Sequence, residues 1–213
     1  MTQSIHCVYS KSKSIWCFLM VWAKVDIYSM NFDAFSHGQT KSKLWLCEQL
    51  EQHLPDNAIV AILGGWYNLL GFMMLARNHN KISSILNIDI DSSAIDIANK
   101  INNGWMIGTD AKINNIVADA SNYNYQGFDV VINCSPEHME NNDWFYNITS
   151  GTLVCFQSSD IDSTDDVWKI TNANKTLEDF VKKYPLSRYI LKDTKEFVYG
   201  DWGYKRFMII GIK

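Results

Sequence analysis

The chain has 213 residues, of which 47% are hydrophobic and 20% are charged, and its formal net charge at pH 7 is −4. This length fits one large domain better than two, and the apolar content is enough to build a full core. The acidic balance argues against binding to duplex nucleic acid through a broad basic surface.

The N-terminal region contains one apolar stretch, IWCFLMVWA, at residues 15–23, which follows Lys11 and Lys13. This stretch is too short to span a bilayer, and no small-residue cleavage site typical of a signal peptide follows it. The organised pattern of the sequence begins only after Met30. We therefore predict an N-terminal extension of uncertain role at residues 1–30, one domain at residues 31–213, and no membrane segment.

From residue 41 onward, apolar runs typical of buried strands alternate with apolar residues at helical spacing. The predicted strands are 57–63, 81–90, 112–119, 127–133, 151–157, 187–200 and 204–213. The predicted helices are 41–54, 66–78, 92–102 and 176–184. Two of these helices begin with suitable capping residues, namely the serines that open 92–102 and the Thr-x-x-Asp start at Thr176. Asp91, just before the serines, is a candidate for a capping or solvated aspartate. A tight turn at Asp201-Trp202-Gly203 is predicted between the last two strands.

This alternation predicts a Rossmann-like α/β fold, with a doubly wound, mostly parallel sheet of about seven strands and helices on both faces. The last strand should run antiparallel, because the segment before it has no room for a crossover helix. In such sheets the ligand binds beyond the carboxyl ends of the strands. Four predicted strand ends therefore become the candidate site.

Each of these strand ends has a functional interpretation and a simpler one. Gly64 and Gly65 would let backbone approach a ligand and expose the next helix N-terminus to an anion, although a tight turn also needs glycine. Asp89 follows Gly65 by 24 residues and could accept hydrogen bonds from a ribose diol, or could be a capping or solvated aspartate. Asp119 could bind an exocyclic amino group or face water. The fourth end is NCSPEHM, residues 133–139.

Together, the stretches VAILGGWYN, ILNIDIDSSAIDIA, IVADASNY and FDVVINCSPEH resemble the class I S-adenosylmethionine-dependent methyltransferase superfamily over roughly residues 40–213. The resemblance implies S-adenosylmethionine as cofactor and a glycine-rich loop at Gly64 and Gly65. It also implies a ribose-binding acid at Asp89, with Ile90 beside the adenine. The adenine-binding pair falls on Asp119 and Ala120, and the strand end beside the methyl group falls on residues 133–138, beginning with Asn133.

The glycine loop departs from the superfamily pattern, since the preceding acid and the third glycine are missing from ILGGWYN. Trp66 is expected to line the methionine part of the cofactor. GGWYNLLG does not supply the Gly-x-Gly-x-x-Gly motif of nicotinamide enzymes. The stretch NCSPEHM also lacks the Asn-Pro-Pro-Tyr signature, so we do not predict an adenine-N6 methyltransferase.

Methyl transfer to an O–H or N–H acceptor requires alignment of the reactants and removal of a proton. Glu137 and His138 are the candidate catalytic bases at the fourth strand end, and histidine titrates near neutrality. The alternative is that Glu137 caps the next helix and His138 is a polar surface residue. His37, Gln39 and Lys41, before the first predicted helix, could contact cofactor or acceptor, or could simply be solvated.

The predicted function is a cytoplasmic S-adenosylmethionine-dependent methyltransferase with a small-molecule or protein acceptor. The five cysteines have no metal-ligand spacing, so no metal site is predicted and reduced thiols are expected. The altered glycine loop favours the alternative, a non-catalytic nucleotide- or S-adenosylmethionine-binding interaction module of Rossmann-like fold. The sequence leaves the acceptor and the oligomeric state open.

Overall fold

The structure, a computed structural model, describes residues 30–78, 80–105, 112–162 and 169–213. The seven strands are β1 (Ala58–Leu63), β2 (Ile82–Asp89), β3 (Lys112–Val117), β4 (Val130–Asn133), β5 (Leu153–Ser159), β6 (Arg188–Tyr199) and β7 (Trp202–Ile212). The α-helices are α1 (His37–Leu50), α2 (Leu69–Asn78), α3 (Ser92–Trp105), α4 (Asp143–Tyr146) and α5 (Leu177–Lys183). Short 3-10 helices lie at Phe32–Phe35, Ala120–Asn122 and Pro136–His138. The predicted extension, apart from Met30, lies outside the described residues.

The strands form one sheet in the order β3-β2-β1-β4-β5-β7-β6. Strands β1 to β5 pair in parallel, whereas β7 runs antiparallel to both β5 and β6. The predicted fold class, including the antiparallel last strand, is confirmed. The chain changes direction across the sheet between β1 and β4, which is where such folds open a crevice for a ligand.

Alternating side chains of β1 show why the sheet is covered on both faces. Val60 and Ile62 belong to one core cluster, with apolar residues of α1, α2 and α3. Ala61 and Leu63 belong to the second cluster, which contains Trp144 of α4 and Phe180 of α5. Because successive residues of a strand point to opposite faces, an uninterrupted apolar run requires a layer of helices on each side.

Two helices begin at other residues than the sequence predicts. Helix α1 begins at His37 rather than 41, since the Ser36 hydroxyl accepts a hydrogen bond from the Gln39 N–H at 3.3 Å. His37, Gln39 and Lys41 therefore lie within the first two turns of α1 and not before it. Helix α2 begins at Leu69 rather than 66, because the residues before it form a loop.

The predicted cap at Thr176 is confirmed, whereas α3 is capped by Asp91, the candidate capping aspartate, and not by the serines that open the helix. The Asp91 carboxylate accepts hydrogen bonds from the N–H groups of Ser93 at 2.9 Å and Ala94 at 3.3 Å, at the start of α3. The Thr176 hydroxyl accepts one from the Asp179 N–H at 3.1 Å, at the start of α5.

The predicted tight turn between the last two strands is present, but it lies at Gly200-Asp201 and not at Asp201-Trp202-Gly203. Strand β6 ends at Tyr199 and β7 begins at Trp202, so Gly200 and Asp201 form the turn between them. Gly200 has a φ of +61°. Trp202 already pairs with Tyr199 in the β6–β7 ladder, and their rings stack with centroids 6.0 Å apart. A glycine in the left-handed region allows a two-residue turn, so the aromatic residue after it can join the strand.

Of the helices in the described ranges, none combines the length and the apolar character that crossing a membrane requires. Cys47, Cys134 and Cys155 carry free thiols. Burial raises the pKa of Cys47 to about 12 and that of Cys134 to about 11, so both are protonated thiols at neutral pH. In the same ranges, no group of three or more His, Cys, Asp or Glu side chains could hold a metal ion.

Candidate functional site

The ends of β1 and β4 contact each other at the carboxyl edge of the sheet. A side chain at Gly64 would place its Cβ 3.3 Å from the Cβ of Ser135, and the Ser135 hydroxyl donates to the Gly64 carbonyl at 3.3 Å. The Gly64 N–H donates to the Ile88 carbonyl of β2 at 2.8 Å. Gly64 therefore links three neighbouring strand ends, as expected for a convergent site.

Gly65 is required by packing on its own chain. A Cβ at this position would lie 1.9 Å from the side-chain oxygen of Asn87, which is fully buried on β2. No side chain larger than hydrogen fits there unless Asn87 moves. At Gly65 the missing side chain therefore lets the loop pack closely against β2. This agrees with the simpler interpretation of the glycine pair, in which a tight turn needs glycine.

The loop between β1 and α2 is tied to its surroundings. Trp66 and Asn68 both have positive φ, at 52° and 58°. The Trp66 ring stacks on Tyr67 at 4.9 Å, and its carbonyl accepts a hydrogen bond from the Asn87 amide at 3.3 Å. The Asn68 amide donates to Asn115 of β3 at 3.1 Å. Left-handed conformations at non-glycine residues persist only where such contacts enforce them.

Asp89 braces this loop through its carboxylate. One oxygen accepts the Trp66 N–H at 2.8 Å and the other accepts the Asp91 N–H at 3.0 Å. Burial raises the pKa of Asp89, and the hydrogen bonds from Asp91 and Trp66 oppose that shift. Each carboxylate oxygen has two acceptor sites, so Asp89 can hold the loop and still accept a hydrogen bond from a ligand hydroxyl.

The residues predicted around an adenine have contrasting environments. Ile90 is 75% exposed directly beside Asp89. Asp119 is exposed, and its oxygens accept hydrogen bonds from the Ser121 N–H at 2.8 Å and the Asn122 side chain at 2.6 Å. It thus caps the short helix that begins at Ala120, which is itself buried. Its contact with adenine stays a prediction.

The two candidate bases after β4 have different environments, since Glu137 is buried and His138 is exposed. Asn133 is fully buried, and its side-chain oxygen accepts the Ser135 N–H at 2.9 Å. Glu137 is only 2% exposed and does not cap α4, which begins at Asp143. His138 is exposed, with its Nδ1 3.4 Å from the Lys169 carbonyl. The capping alternative for Glu137 is therefore wrong, whereas the surface position considered for His138 is observed.

No family description and no curated protein matches the sequence. Solved structures do match in fold. A methyltransferase dependent on S-adenosylmethionine from Methanosarcina mazei is 15% identical, with a TM-score of 0.60, and the match covers 78% of this chain and 96% of that one. The N-methyltransferase NodS from Bradyrhizobium japonicum is 11% identical, with a TM-score of 0.61 and coverage of 84% and 99%. The chain has the fold of the class I S-adenosylmethionine-dependent methyltransferases.

A third matching structure is a methyltransferase with a different kind of acceptor. The geranyl diphosphate C-methyltransferase from Streptomyces coelicolor was solved with Mg²⁺, geranyl diphosphate and S-adenosyl-L-homocysteine. It is 11% identical to this chain, with a TM-score of 0.57, and the match covers 78% of this chain and 76% of that one. A fold that carries different acceptors in different proteins leaves the acceptor of this chain to be argued from its own residues.

Sequence reasoning missed two basic residues that act on the end of β4. The Arg206 guanidinium, on β7, donates to the Cys134 carbonyl at 2.8 Å, and its Nη1 lies 3.9 Å from Glu137 Oε1. Lys43, on α1, has its pKa lowered to about 8, chiefly by burial; the Cys134 thiol opposes this shift and the Arg206 charge adds to it. A lone arginine directly before the apolar run Phe207–Ile210 was the available signal for Arg206.

Proposed function

We propose that this protein is an S-adenosylmethionine-dependent methyltransferase that acts on a small-molecule or protein acceptor. The observation that carries the proposal is the linkage of three strand ends at one edge of the methyltransferase sheet. The Gly64 loop is hydrogen-bonded to Ser135 on one side and to β2 on the other, and Asp89 braces that loop through Trp66. This is the edge at which open α/β sheets bind their ligands.

The residues at this edge suit the donor. Asp89 keeps acceptor capacity for ribose hydroxyls, and exposed Ile90 offers an apolar surface for a flat ring. Trp66 would line the methionine part, with Gly64 and Gly65 behind it. The adenine of the donor would lie beside Asp119 and Ala120, and its methyl group beside Asn133. The bound donor supplies a methyl group on a positively charged sulfur.

Glu137 is the better candidate for the proton acceptor. Its Oε2 is buried and has no hydrogen-bond partner among the described residues, whereas Oε1 faces Ser159 and Arg206. A buried carboxylate oxygen without a donor can take a proton from an acceptor group placed against it. The exposed ring of His138 has no comparable position, so its predicted catalytic role is the weaker of the two.

Transfer of a tritiated methyl group from S-adenosylmethionine tests the proposal. The full chain is incubated with the small-molecule and protein fractions of a cell extract, and the active fraction is then given to Glu137→Gln. We expect turnover to fall by about 10²- to 10⁴-fold, the usual contribution of a general base, with affinity for S-adenosylhomocysteine within about twofold of wild type. Glu140→Gln, at an exposed neighbour, is the control. Wild-type turnover in Glu137→Gln would refute the role.

One observation favours the second candidate function, a non-catalytic module that binds the nucleotide. The loop after β1 lacks the preceding acid and the third glycine of the superfamily pattern. A loop changed in this way is compatible with a nucleotide pocket that has lost turnover. Saturable binding of S-adenosylmethionine without methyl transfer to any fraction would favour this module. Reduced thiols in either case suit the cytoplasmic location that we propose.

A further inference from the structure

A group of polar side chains lies inside the protein beneath α1, at the carboxyl ends of β4 and β5 and the start of β7. We call it the α1 polar patch. Its members are Ser42, Lys43, Glu137, Gln157, Ser159 and Arg206. All are buried except Lys43, which is partly buried.

Contacts join five of the six members across four elements, whereas Lys43 acts on the patch through its charge and donates to the Gln39 side-chain oxygen within α1. Ser159 and Arg206 are paired neighbours in the β5–β7 ladder. The Ser159 hydroxyl lies 3.4 Å from Glu137 Oε1, and Arg206 Nη1 lies 3.9 Å from the same oxygen. The Gln157 amide donates to the Ser42 carbonyl of α1 at 3.1 Å. Gln157 and Ser159 are two residues apart on one strand, so both face α1.

Four atoms of the patch have no hydrogen-bond partner among the described residues: Glu137 Oε2, Arg206 Nε, Gln157 Oε1 and Ser42 Oγ. Buried polar atoms are nearly always paired in folded proteins, so four in one place require an explanation. Glu137 and Gln157 offer acceptors, and Arg206 offers a donor. A molecule that both donates and accepts hydrogen bonds would satisfy them together.

The charges of the patch do not cancel. Lys43 and Arg206 are cationic, and Glu137 is the single carboxylate of the patch. Asp33 also acts on Lys43, more weakly than Arg206 does, and it is exposed. Glu137 also acts on the Cys134 thiol, the phenols of Tyr184 and Tyr204, and the Lys183 ammonium group, and none of these is a second carboxylate. One added carboxylate would balance the buried charge.

The patch adjoins the edge proposed to hold the donor. Cys134, whose carbonyl accepts the Arg206 hydrogen bond, is partly buried, and so is the next residue, Ser135. Ser135 in turn contacts the Gly64 loop. A molecule in the patch would therefore lie beside the end of β4, where a methyl group would be transferred.

We propose that the α1 polar patch binds the methyl acceptor, and that this acceptor is a small amino acid methylated on its amine. The inference rests on the proposed methyltransferase function. The acceptor carboxylate lies against Arg206 and Lys43, and the ammonium group lies against Glu137. Glu137 Oε2 takes one proton from the ammonium group. The nitrogen lone pair then forms the new N–C bond while the S–C bond breaks, its electron pair stays on sulfur, and S-adenosylhomocysteine and an N-methylated ammonium result.

The test compares two pools of acceptors with the full chain and tritiated-methyl S-adenosylmethionine. One pool contains the twenty amino acids, and the other contains the corresponding amino-acid amides, which keep the amine but lack the carboxylate. We expect at least tenfold more label in the amino acids. Arg206→Gln should raise KM for the amino-acid pool at least tenfold, with affinity for S-adenosylhomocysteine within twofold of wild type. Arg206→Lys should recover part of that loss, and Arg188→Gln, at an exposed arginine, should behave as wild type.

Several results would overturn the inference. Equal label in both pools would refute recognition of the acceptor carboxylate by the patch. Label in neither pool while S-adenosylhomocysteine still binds would exclude an amino-acid acceptor. Both results would leave the proposed function standing. Loss of S-adenosylhomocysteine affinity in Arg206→Gln, with 5′-methylthioadenosine still bound, would assign the patch to the donor's own amino-acid end. If Arg206→Gln does not fold, Lys43→Met provides the same KM measurement. Failure of the wild type to bind S-adenosylhomocysteine at all would refute the proposed function itself.

Discussion

Asp89→Asn tests the double role of the acid at the end of β2. The wild-type carboxylate accepts N–H groups from Trp66 and Asp91 at 2.8 and 3.0 Å. The two N–H groups go to different carboxylate oxygens. In asparagine an NH₂ group replaces one of these oxygens and turns a donor toward one of the N–H groups, so that hydrogen bond is lost. A hydrogen bond to a charged group contributes about 1.5–3 kcal/mol. We expect the substitution to lower the free energy of unfolding by an amount near the lower end of this range, because burial already disfavours the charged carboxylate.

The same substitution should weaken donor binding if the remaining acceptor sites of Asp89 hold the ribose. Loss of one such hydrogen bond raises Kd by about 10- to 150-fold. Isothermal titration with S-adenosylhomocysteine measures Kd, and urea unfolding measures stability. Asp91→Asn is the matched control, because asparagine caps a helix as well as aspartate does. Wild-type affinity in Asp89→Asn, with its circular dichroism unchanged, would refute the ribose assignment.

Three further predictions concern packing, charge and the domain boundary. Gly65→Ala should destabilise the fold by about 1–3 kcal/mol in urea unfolding, since its Cβ meets Asn87, and Gly65→Ala combined with Asn87→Ala should recover part of this loss. Burial lowers the pKa of Lys43 from its ordinary 10.5 to about 8 in the folded protein. Between these two pH values the unfolded state binds more protons than the folded state, so the Lys43 contribution to stability rises with pH there. The stability of Lys43→Met relative to wild type should therefore decrease from pH 8 to pH 10; a constant difference would contradict the shift. A chain that begins at Met30 should unfold cooperatively, because Met30 is buried in the core and the Asn31 N–H donates to the Tyr67 hydroxyl. Aggregation of that chain would mean that IWCFLMVWA is part of the core.

The strands could be predicted because each depends on a local apolar pattern. β1 and β4 lie within three residues of their predicted bounds, since buried parallel strands read as short apolar runs. The helix starts depend on side-chain capping and on loop conformation. Ser36 extends α1 toward the N-terminus, and the positive φ of Trp66 and Asn68 delays α2. Neither effect changes the apolar spacing from which the helices were predicted.

Some residues of the candidate site could be predicted from local sequence patterns, and others could not. Gly64, Asp89 and Asn133 could be placed at one edge, because the carboxyl ends of parallel strands meet there. Arg206 could not, since it reaches Glu137 only through the antiparallel pairing of β7 with β5. The environments of Glu137 and His138 were equally hidden, because adjacent residues in a short 3-10 turn face different surroundings once the chain packs. Pairings between distant segments carry no local sequence signal.

Calorimetric titration of the full chain with S-adenosylmethionine and S-adenosylhomocysteine tests the central claim most directly. We expect saturable binding of both compounds to one site, with each competing against the other, and weaker binding of both in Asp89→Asn. Adenosine alone should bind less tightly, since it lacks the methionine part that Trp66 is proposed to line. An absence of binding by either compound at millimolar concentration, with the wild-type protein folded, would contradict the account.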